Sequence, residues 1–565
     1  MSLKNKIDFG AFGLSPSGAT PNERQIEWFN RERMIFFHFG MNTFTDKEWG
    51  DGTESPSTFN PTELDVRQWV KAIKDGGFTA AILTAKHHDG FCLWPSAYTE
   101  HSIKNSPYKN GKGDIVREFT DACAELGIKA GIYLSPWDRH EKTWGKDEYN
   151  DFYVGQLTEL LTSYGKIWEC WWDGAGSTEA VYDWERWART VRTLQPDAVI
   201  FGSLGATPFV DVRWVGNEKG VAGKPCYATI DEISLVVETT SELNSGKLGG
   251  ERFIPAEVDV SIRPGWFYHK EQDCMVRTPE NLIDLWFNSN GSNAGFLLNL
   301  PPDRRGLIHE NDVESLLDFK KTLDRCLSVN YADGAAIECD NERAGCEAKN
   351  LISDTPSRFY SSNDDNEEAI INITLKEKSE FNTVIVREII ELGHKVTDIC
   401  ADVLVNGEWK EVFKSKCIGY RLAERFDTVF ADKIRLRIKG LKESCALYGL
   451  GVHNFTLRYE KNSTKSDKNL ALSQGCAVEI TDNCIDVNLG GVIHFNKIKV
   501  ENSPLGKCEL LVFNGFSFEK YASAETKDSC LNLELDKAVD YAYRFKLVFE
   551  NPIDKEKAKL SVFHM

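Results

Sequence analysis

Between about residue 26 and residue 327, apolar runs alternate with segments of helical period. MIFFHFG (34–40) is an unbroken apolar run, the pattern of a strand covered on both faces of a parallel sheet. TELDVRQWVKAIKDGG (62–77) follows, with Val66, Trp69, Val70 and Ile73 on one helical face and glycine at its end. The alternation continues with strands at 78–90, 128–138, 167–174, 198–203, 255–262 and 295–302. Helices are predicted at 114–127, 147–165, 182–194, 279–287 and 311–327. Repeated βα units of this kind predict a parallel sheet, open or closed into a barrel. An open sheet would place a glycine-rich phosphate loop after its first strand, where this chain has His38-Phe39-Gly40-Met41-Asn42. Polar groups close several different strands, and that favours a (β/α)8-like α/β barrel, since an open sheet gathers its site at one switch point.

Beyond Leu327 the helical period stops and β-patterned segments with Asn-Gly turns begin. VTDICADVLVNGEWKEVFKS (396–415) reads as a hairpin about Asn406-Gly407, and CELLVFNGFSFEKYAS (508–523) as another about Asn514-Gly515. Each follows a strand opening with Phe-Asn, at Phe381-Asn382 and Phe495-Asn496; from that Phe to the turn glycine there are 26 and 20 residues. This reads as a diverged internal repeat. The expected organisation is a barrel over 1–335, then two all-β sandwich domains over 336–460 and 461–565, joined near Lys461–Ser466.

Composition narrows the function. With 67 basic and 86 acidic side chains the chain carries a formal charge of −19, which disfavours nucleic acid and anionic membrane as partners. No run of apolar residues is long enough to span a membrane. The amino-terminal MSLKNKIDFG has no apolar signal core. The chain is expected in the periplasm or outside the cell if a native signal peptide has been removed, and in the cytoplasm otherwise. The 15 cysteines are scattered with no CxxC pair, so neither a zinc motif nor a disulfide framework is expected. The 15 tryptophans suit ring-shaped ligands such as sugars. Nothing in the pattern sets an oligomeric state.

The candidate chemistry sits at the strand ends. His38 closes the first strand, with Glu48-Trp49 in the loop beyond; His87 and His88 close the second; Tyr133 and Trp137-Asp138 close the third. IWECWWDG (167–174) puts Trp171 and Asp173 at the end of the fourth, and VDVRWVGNEKG, after the fifth, brings Arg213 and Glu218. A carboxylate at a barrel strand end is a catalytic position. Asp173 also reads as the N-cap of the next helix, with Ser177, Thr178 and Glu179 following. Neutral donors, aromatic faces and two separated carboxylates suit a polyol cleaved by glycoside hydrolysis. A zinc hydrolase using His38, His87, His88 and Asp173 is the chemical rival, but the first strand lacks His-x-His, and adjacent His87 and His88 would face opposite ways on a regular strand. A non-catalytic sugar-binding protein is the other alternative; it would have no need of an acid/base pair.

The motifs FFHFGMNTFTDKEWG, TAKHHDGFCLWPS, GIYLSPWD, WECWWDG and GFLLNLPPDRRGLI, in this order, resemble glycoside hydrolase family 29, the retaining α-L-fucosidases. The resemblance covers roughly the first 330 residues. It implies that Asp173 is the nucleophile and that His38, Glu48, Trp49, His87, His88, Tyr133, Trp171 and Arg213 surround the fucose. VRWVGNEKG and PAEVDVSIRPGWFYH (255–269) are similar to the subfamily acting on α-1,3/1,4-linked, Lewis-type fucosides. That makes Glu218 the acid/base, ahead of Glu232, Glu238 and Glu257, and brings Trp266 near the sugar. A broad-specificity enzyme acting on α-1,2 or aryl fucosides is the alternative. The implied partner is a fucosylated oligosaccharide or glycoconjugate, with no cofactor and no metal. Residues 336–456, with SDTPSRFYSS and LYGLGVHN, resemble discoidin-like sandwiches that serve as carbohydrate-binding modules.

Overall fold

The computed structural model describes residues 7–176, 180–203, 205–232, 240–273, 275–364, 368–440, 444–456, 469–472, 476–513 and 518–564. Eight strands close a barrel in which each pairs with its neighbours in chain order: β1 (Arg33–Phe37), β2 (Ala80–Lys86), β3 (Lys129–Leu134), β4 (Glu169–Trp172), β5 (Val199–Gly202), β6 (Val212–Trp214), β7 (Ala256–Ser261) and β8 (Gly295–Asn299). Seven of these are the predicted strands. The eighth, β6, is three residues long and is not among the predicted strands; it lies in register between Phe201-Gly202 of β5 and Ala256-Glu257 of β7. Its Arg213 broke the apolar run, although the side chain is fully buried.

The helices form where the period placed them. α1 (Val66–Asp75) is capped by Asp65, whose side chain accepts the Gln68 N–H. α2 (Ile115–Leu126) is capped by Asp114 and ends at Gly127 with φ +74°, a left-handed turn that glycine adopts without strain. α3 (Glu148–Ser163) and α4 (Trp184–Leu194) follow β3 and β4. The N-cap of α4 is Asp183, so Asp173 does not cap that helix; Ser177, Thr178 and Glu179 lie outside the described residues. Inward-facing Met34, Phe36, Ile82, Tyr133, Trp171, Val199, Phe201 and Leu297 fill the barrel.

The two β-rich regions repeat one topology. In the first, β9 (Ala336–Cys339), β10 (Tyr360–Ser361), β11 (Glu368–Glu388), β12 (Val396–Val405), β13 (Glu408–Ser415), β14 (Leu422–Gly440) and β15 (Ala446–His453) form a sheet in the order β10-β15-β11-β14-β12-β13, with β9 also on β11. In the second, β16 (Ala477–Ile480), β17 (Cys484–Glu501), β18 (Gly506–Phe513), β19 (Phe518–Thr526), β20 (Cys530–Phe549) and β21 (Lys559–Phe563) run β16-β17-β20-β18-β19, with β21 on β17. Both place a hairpin beside two long antiparallel strands, and in both the register breaks just after the repeated Phe-Asn, between Phe381 and Thr383 and between Phe495 and Lys497. Each of the two β-rich regions has its own hydrophobic core. Asn406 and Gly407 both have positive φ, as a tight two-residue hairpin demands. The Asn514-Gly515 turn and the Lys461–Ser466 joint lie outside the described residues.

Two compact units emerge. One contains residues 1–260, 283–308 and 320–456, so the barrel strands and the first sheet belong together. The other contains 261–282, 309–319 and 457–565. Residue 335 lies inside the first unit, and residue 460 lies just past that unit's end at Thr456. All cysteines of the described residues are unbridged, most of them buried. No helix among the described residues is long and apolar enough to cross a membrane.

Candidate active site

Glu169 and Trp171 face inward on β4, and Asp173 continues their alternation just past the strand's end. Its carboxylate is held at both oxygens: Oδ1 accepts the Ala175 N–H at 2.8 Å and Oδ2 accepts the Tyr133 hydroxyl at 3.2 Å. Oδ2 also lies 3.9 Å from Nε2 of His88. The side chain remains 29% exposed, so a ligand can reach it.

Around it, β2 ends at Lys86, so His87 and His88 sit on the chain beyond the strand. They are therefore not sent to opposite faces as a regular strand would require; their rings lie 4.0 Å apart. His87 also stacks on Tyr133 at 5.8 Å and meets His38 edge-on at 5.6 Å. The three imidazoles are enclosed. Burial lowers His38 and His88 to about 4 and His87 well below its ordinary value, the last with help from its two histidine neighbours. All three are neutral hydrogen-bonding groups at neutral pH. The charges of Glu48 and Asp173 both reach His38. Burial also pushes the Tyr133 phenol well above its usual value, which keeps it a donor.

Trp171 lies below Asp173, stacked on Phe201 at 4.0 Å and edge-on to Phe36 at 5.0 Å. Its indole donates at 2.8 Å to Oε1 of Glu257, whose Oε2 takes the Trp28 indole at 3.2 Å. Glu257, one of the competing acids, thus belongs to the barrel floor; burial raises it to about 7. Glu232 is solvent-exposed, and Glu238 lies outside the described residues. At the mouth stands Trp49, 59% exposed, with its ring 6.1 Å from His88 and 5.7 Å from Trp137. Its loop is pinned by Arg139 to the Gly50 carbonyl and by His140 to that of Gly52, both at 2.6 Å. Asp138 is bound to Lys86 in a buried ion pair of 2.7 Å, outside the ring of pocket residues.

Glu218 is exposed on the loop after β6, and its charge reaches Asp259, a buried carboxyl on β7 raised well above its ordinary value mainly by burial. Arg213 is placed differently from expectation. It is fully buried, and its guanidinium donates to the carbonyls of Leu243 (2.9 Å), Tyr227 (2.9 Å) and Ile254. Its donors tie down three segments of chain. Trp266 is half-buried in the other compact unit, on the chain after β7.

Sequence reasoning missed Asn42, Ser135 and Asn299, which bond to the three histidines, and Asp259 with its bond from the Trp214 indole. Asn299 closes the apolar GFLLN strand, the same signal that singled out His38. Asp259 follows Glu257 at the spacing of one strand face, so AEVDVS announced two inward acids. Among the described residues no group of three or more His, Cys, Asp or Glu side chains is placed to hold a metal ion.

Comparison with known proteins gives the same reading. The alpha-L-fucosidase family model matches residues 9–325. The chain is similar to Arabidopsis thaliana alpha-L-fucosidase 1, with 41% identity over 425 residues, 73% of this chain and 83% of that one. A glycoside hydrolase 29 family member from an unknown rumen bacterium superposes with a TM-score of 0.73 at 30% identity, covering 97% of this chain and 100% of that one. A Ruminococcus gnavus GH29 fucosidase solved with fucose gives 0.73 at 30% identity, covering 78% of this chain and 96% of that one. The chain therefore belongs to glycoside hydrolase family 29, the alpha-L-fucosidases.

Proposed function

We propose that this alpha-L-fucosidase works with retention, through Asp173 as nucleophile and Glu218 as acid/base, on α-1,3/1,4-linked fucose of branched, Lewis-type glycans. The observation that carries the reading is the Asp173 carboxylate at the end of β4, gripped by Tyr133 and Ala175 yet open to the pocket. In this mechanism Asp173 attacks the anomeric carbon while Glu218 protonates the departing oxygen; Glu218 then takes a proton from water as the glycosyl-enzyme is hydrolysed. Retention calls for the two carboxyl groups to stand about 5–5.5 Å apart when substrate is bound. His38, His87, His88 and Tyr133 serve the sugar hydroxyls. Trp171 and Trp49 offer apolar walls, and Glu48 a further acceptor. The fucose bound to the Ruminococcus gnavus relative supports a fucose in this pocket. The linkage preference rests on the VRWVGNEKG and PAEVDVSIRPGWFYH segments.

Three assays test it. Asp173→Ala should lose several orders of magnitude in kcat, with azide restoring turnover of an activated fucoside. Glu218→Gln should harm natural glycans far more than aryl fucosides, whose leaving groups need little protonation. Lewis trisaccharides should be cleaved faster than 2'-fucosyl substrates; the reverse order would remove the linkage assignment and leave the catalytic pair in place.

A further inference from the structure

The three pocket histidines are each bonded on Nδ1 by a group whose own hydrogen-bonding direction is already fixed. Ser135 Oγ stands 2.6 Å from the Trp137 carbonyl, which can only accept, so the hydroxyl proton lies on that bond. At the 2.7 Å contact with His88 Nδ1 the hydroxyl then accepts, and His88 carries its proton on Nδ1. Asn299 Oδ1 receives the backbone N–H of His38 at 3.3 Å, which fixes the amide orientation. It lies 2.8 Å from His38 Nδ1, which is again N–H. Asn42 is the opposite case. Its Nδ2 donates to the Glu48 carbonyl at 2.9 Å, so the atom 3.3 Å from His87 Nδ1 is also Nδ2, a donor. His87 Nδ1 therefore accepts, and its proton sits on Nε2.

We infer that Asn299, Asn42 and Ser135 are positioning residues that lock His38, His87 and His88 as acceptor, donor and acceptor at their Nε2 atoms, and so dictate which sugar hydroxyls must donate and which must accept. The inference rests on the proposal that a fucosyl ring occupies this pocket. His88 Nε2, an acceptor in this tautomer, lies 3.9 Å from Asp173 Oδ2, so the two line one side of the pocket, where a ligand hydroxyl can donate to the imidazole. A ring that offers no hydroxyl at this point leaves the His88 Nε2 lone pair unpaired, whereas Asp173 Oδ2 keeps its bond from Tyr133.

The test is 15N–1H correlation NMR on the full-length enzyme labelled in histidine, with resonances assigned by single His→Gln variants. His38 and His88 should show protonated Nδ1, and His87 protonated Nε2; Nε2–H on His88 or Nδ1–H on His87 would overturn the inference. Ser135→Ala should release His88 to the other tautomer and raise KM at least about tenfold, since a mismatched buried hydrogen bond is costly, and Ser135→Thr should restore both. An unchanged His88 tautomer in Ser135→Ala would remove Ser135 from the scheme. Failure of wild-type protein to bind L-fucose by calorimetry would refute the occupant while leaving the tautomers as assigned.

Discussion

Tyr133 donates its hydroxyl to Oδ2 of Asp173 across 3.2 Å, from the neighbouring strand end of the barrel. The bond steadies the carboxylate in one rotamer and withdraws some of its charge. Because burial holds the phenol protonated well beyond its usual range, the donor persists at any working pH. Tyr133→Phe should lower kcat/KM about 10- to 100-fold, the scale of one charged hydrogen bond lost. The ring still stacks at 5.5 Å on Trp171, so the melting temperature should change little. A drop in activity that tracks unfolding would count against a role at the carboxylate.

The barrel was legible because its strands are covered on both faces and its helices on one, two patterns that differ in period. β6 was not, because three residues give no period and Arg213 reads as polar although its charge is enclosed among carbonyls. Of the site, the residues at strand ends could be read directly. The groups that hold them could not: Ser135 and Asn42 become informative only when folding sets them beside a histidine. The same holds for Glu257, which looks like a candidate acid until two indoles are found on its oxygens.

Arg213→Lys retains charge but replaces a planar fork by a single ammonium that cannot reach three carbonyls at once. It should destabilise the fold by about 3 kcal/mol or more, through buried carbonyls left unsatisfied. If the variant melted like the wild type while fucose binding collapsed, Arg213 would act on the sugar rather than on the three segments its donors hold.

The buried histidines set an acid limit. His38 and His88 fall from 6.5 to about 4 on folding, because enclosure penalises the imidazolium. Their neutral forms give stability that is fully present above about pH 6.5 and is lost as pH falls through about 4. Relative to neutral pH, each costs about 3 kcal/mol of stability once the solution is acid enough to protonate it in the folded chain. Denaturant unfolding should therefore weaken steeply between pH 6.5 and 4, and His88→Gln should flatten that slope by about one proton. An unaltered slope would mean that His88 titrates alike in folded and unfolded chains.

Asp89 works in the opposite direction. Its carboxyl is fully enclosed just beyond His88, with Oδ1 accepting the Phe91 N–H at 2.8 Å and, among the described residues, no hydrogen-bond partner on Oδ2. The unsatisfied Asn42 Oδ1 and the carboxylate of Glu54 gather with it about Gly50, where an added Cβ would stand 2.8 Å from Asn42 Oδ1, Asp89 Cβ and Glu54 Oε1. Burial raises Asp89 from 3.8 to about 7, with Glu54 and Asp138 adding to the shift. Stability is therefore undiminished below about pH 3.8, falls as pH rises, and reaches its full loss above about 7. Asp89→Asn reproduces the neutral form and keeps the acceptor for Phe91. Its stabilisation should be larger at pH 8 than at pH 5 by about 3 kcal/mol, two pH units of one proton. Urea unfolding at the two pH values measures the difference directly. A gain equal at both would show Asp89 ionised throughout, and the acids around Gly50 would then need a bound cation or solvent to balance them.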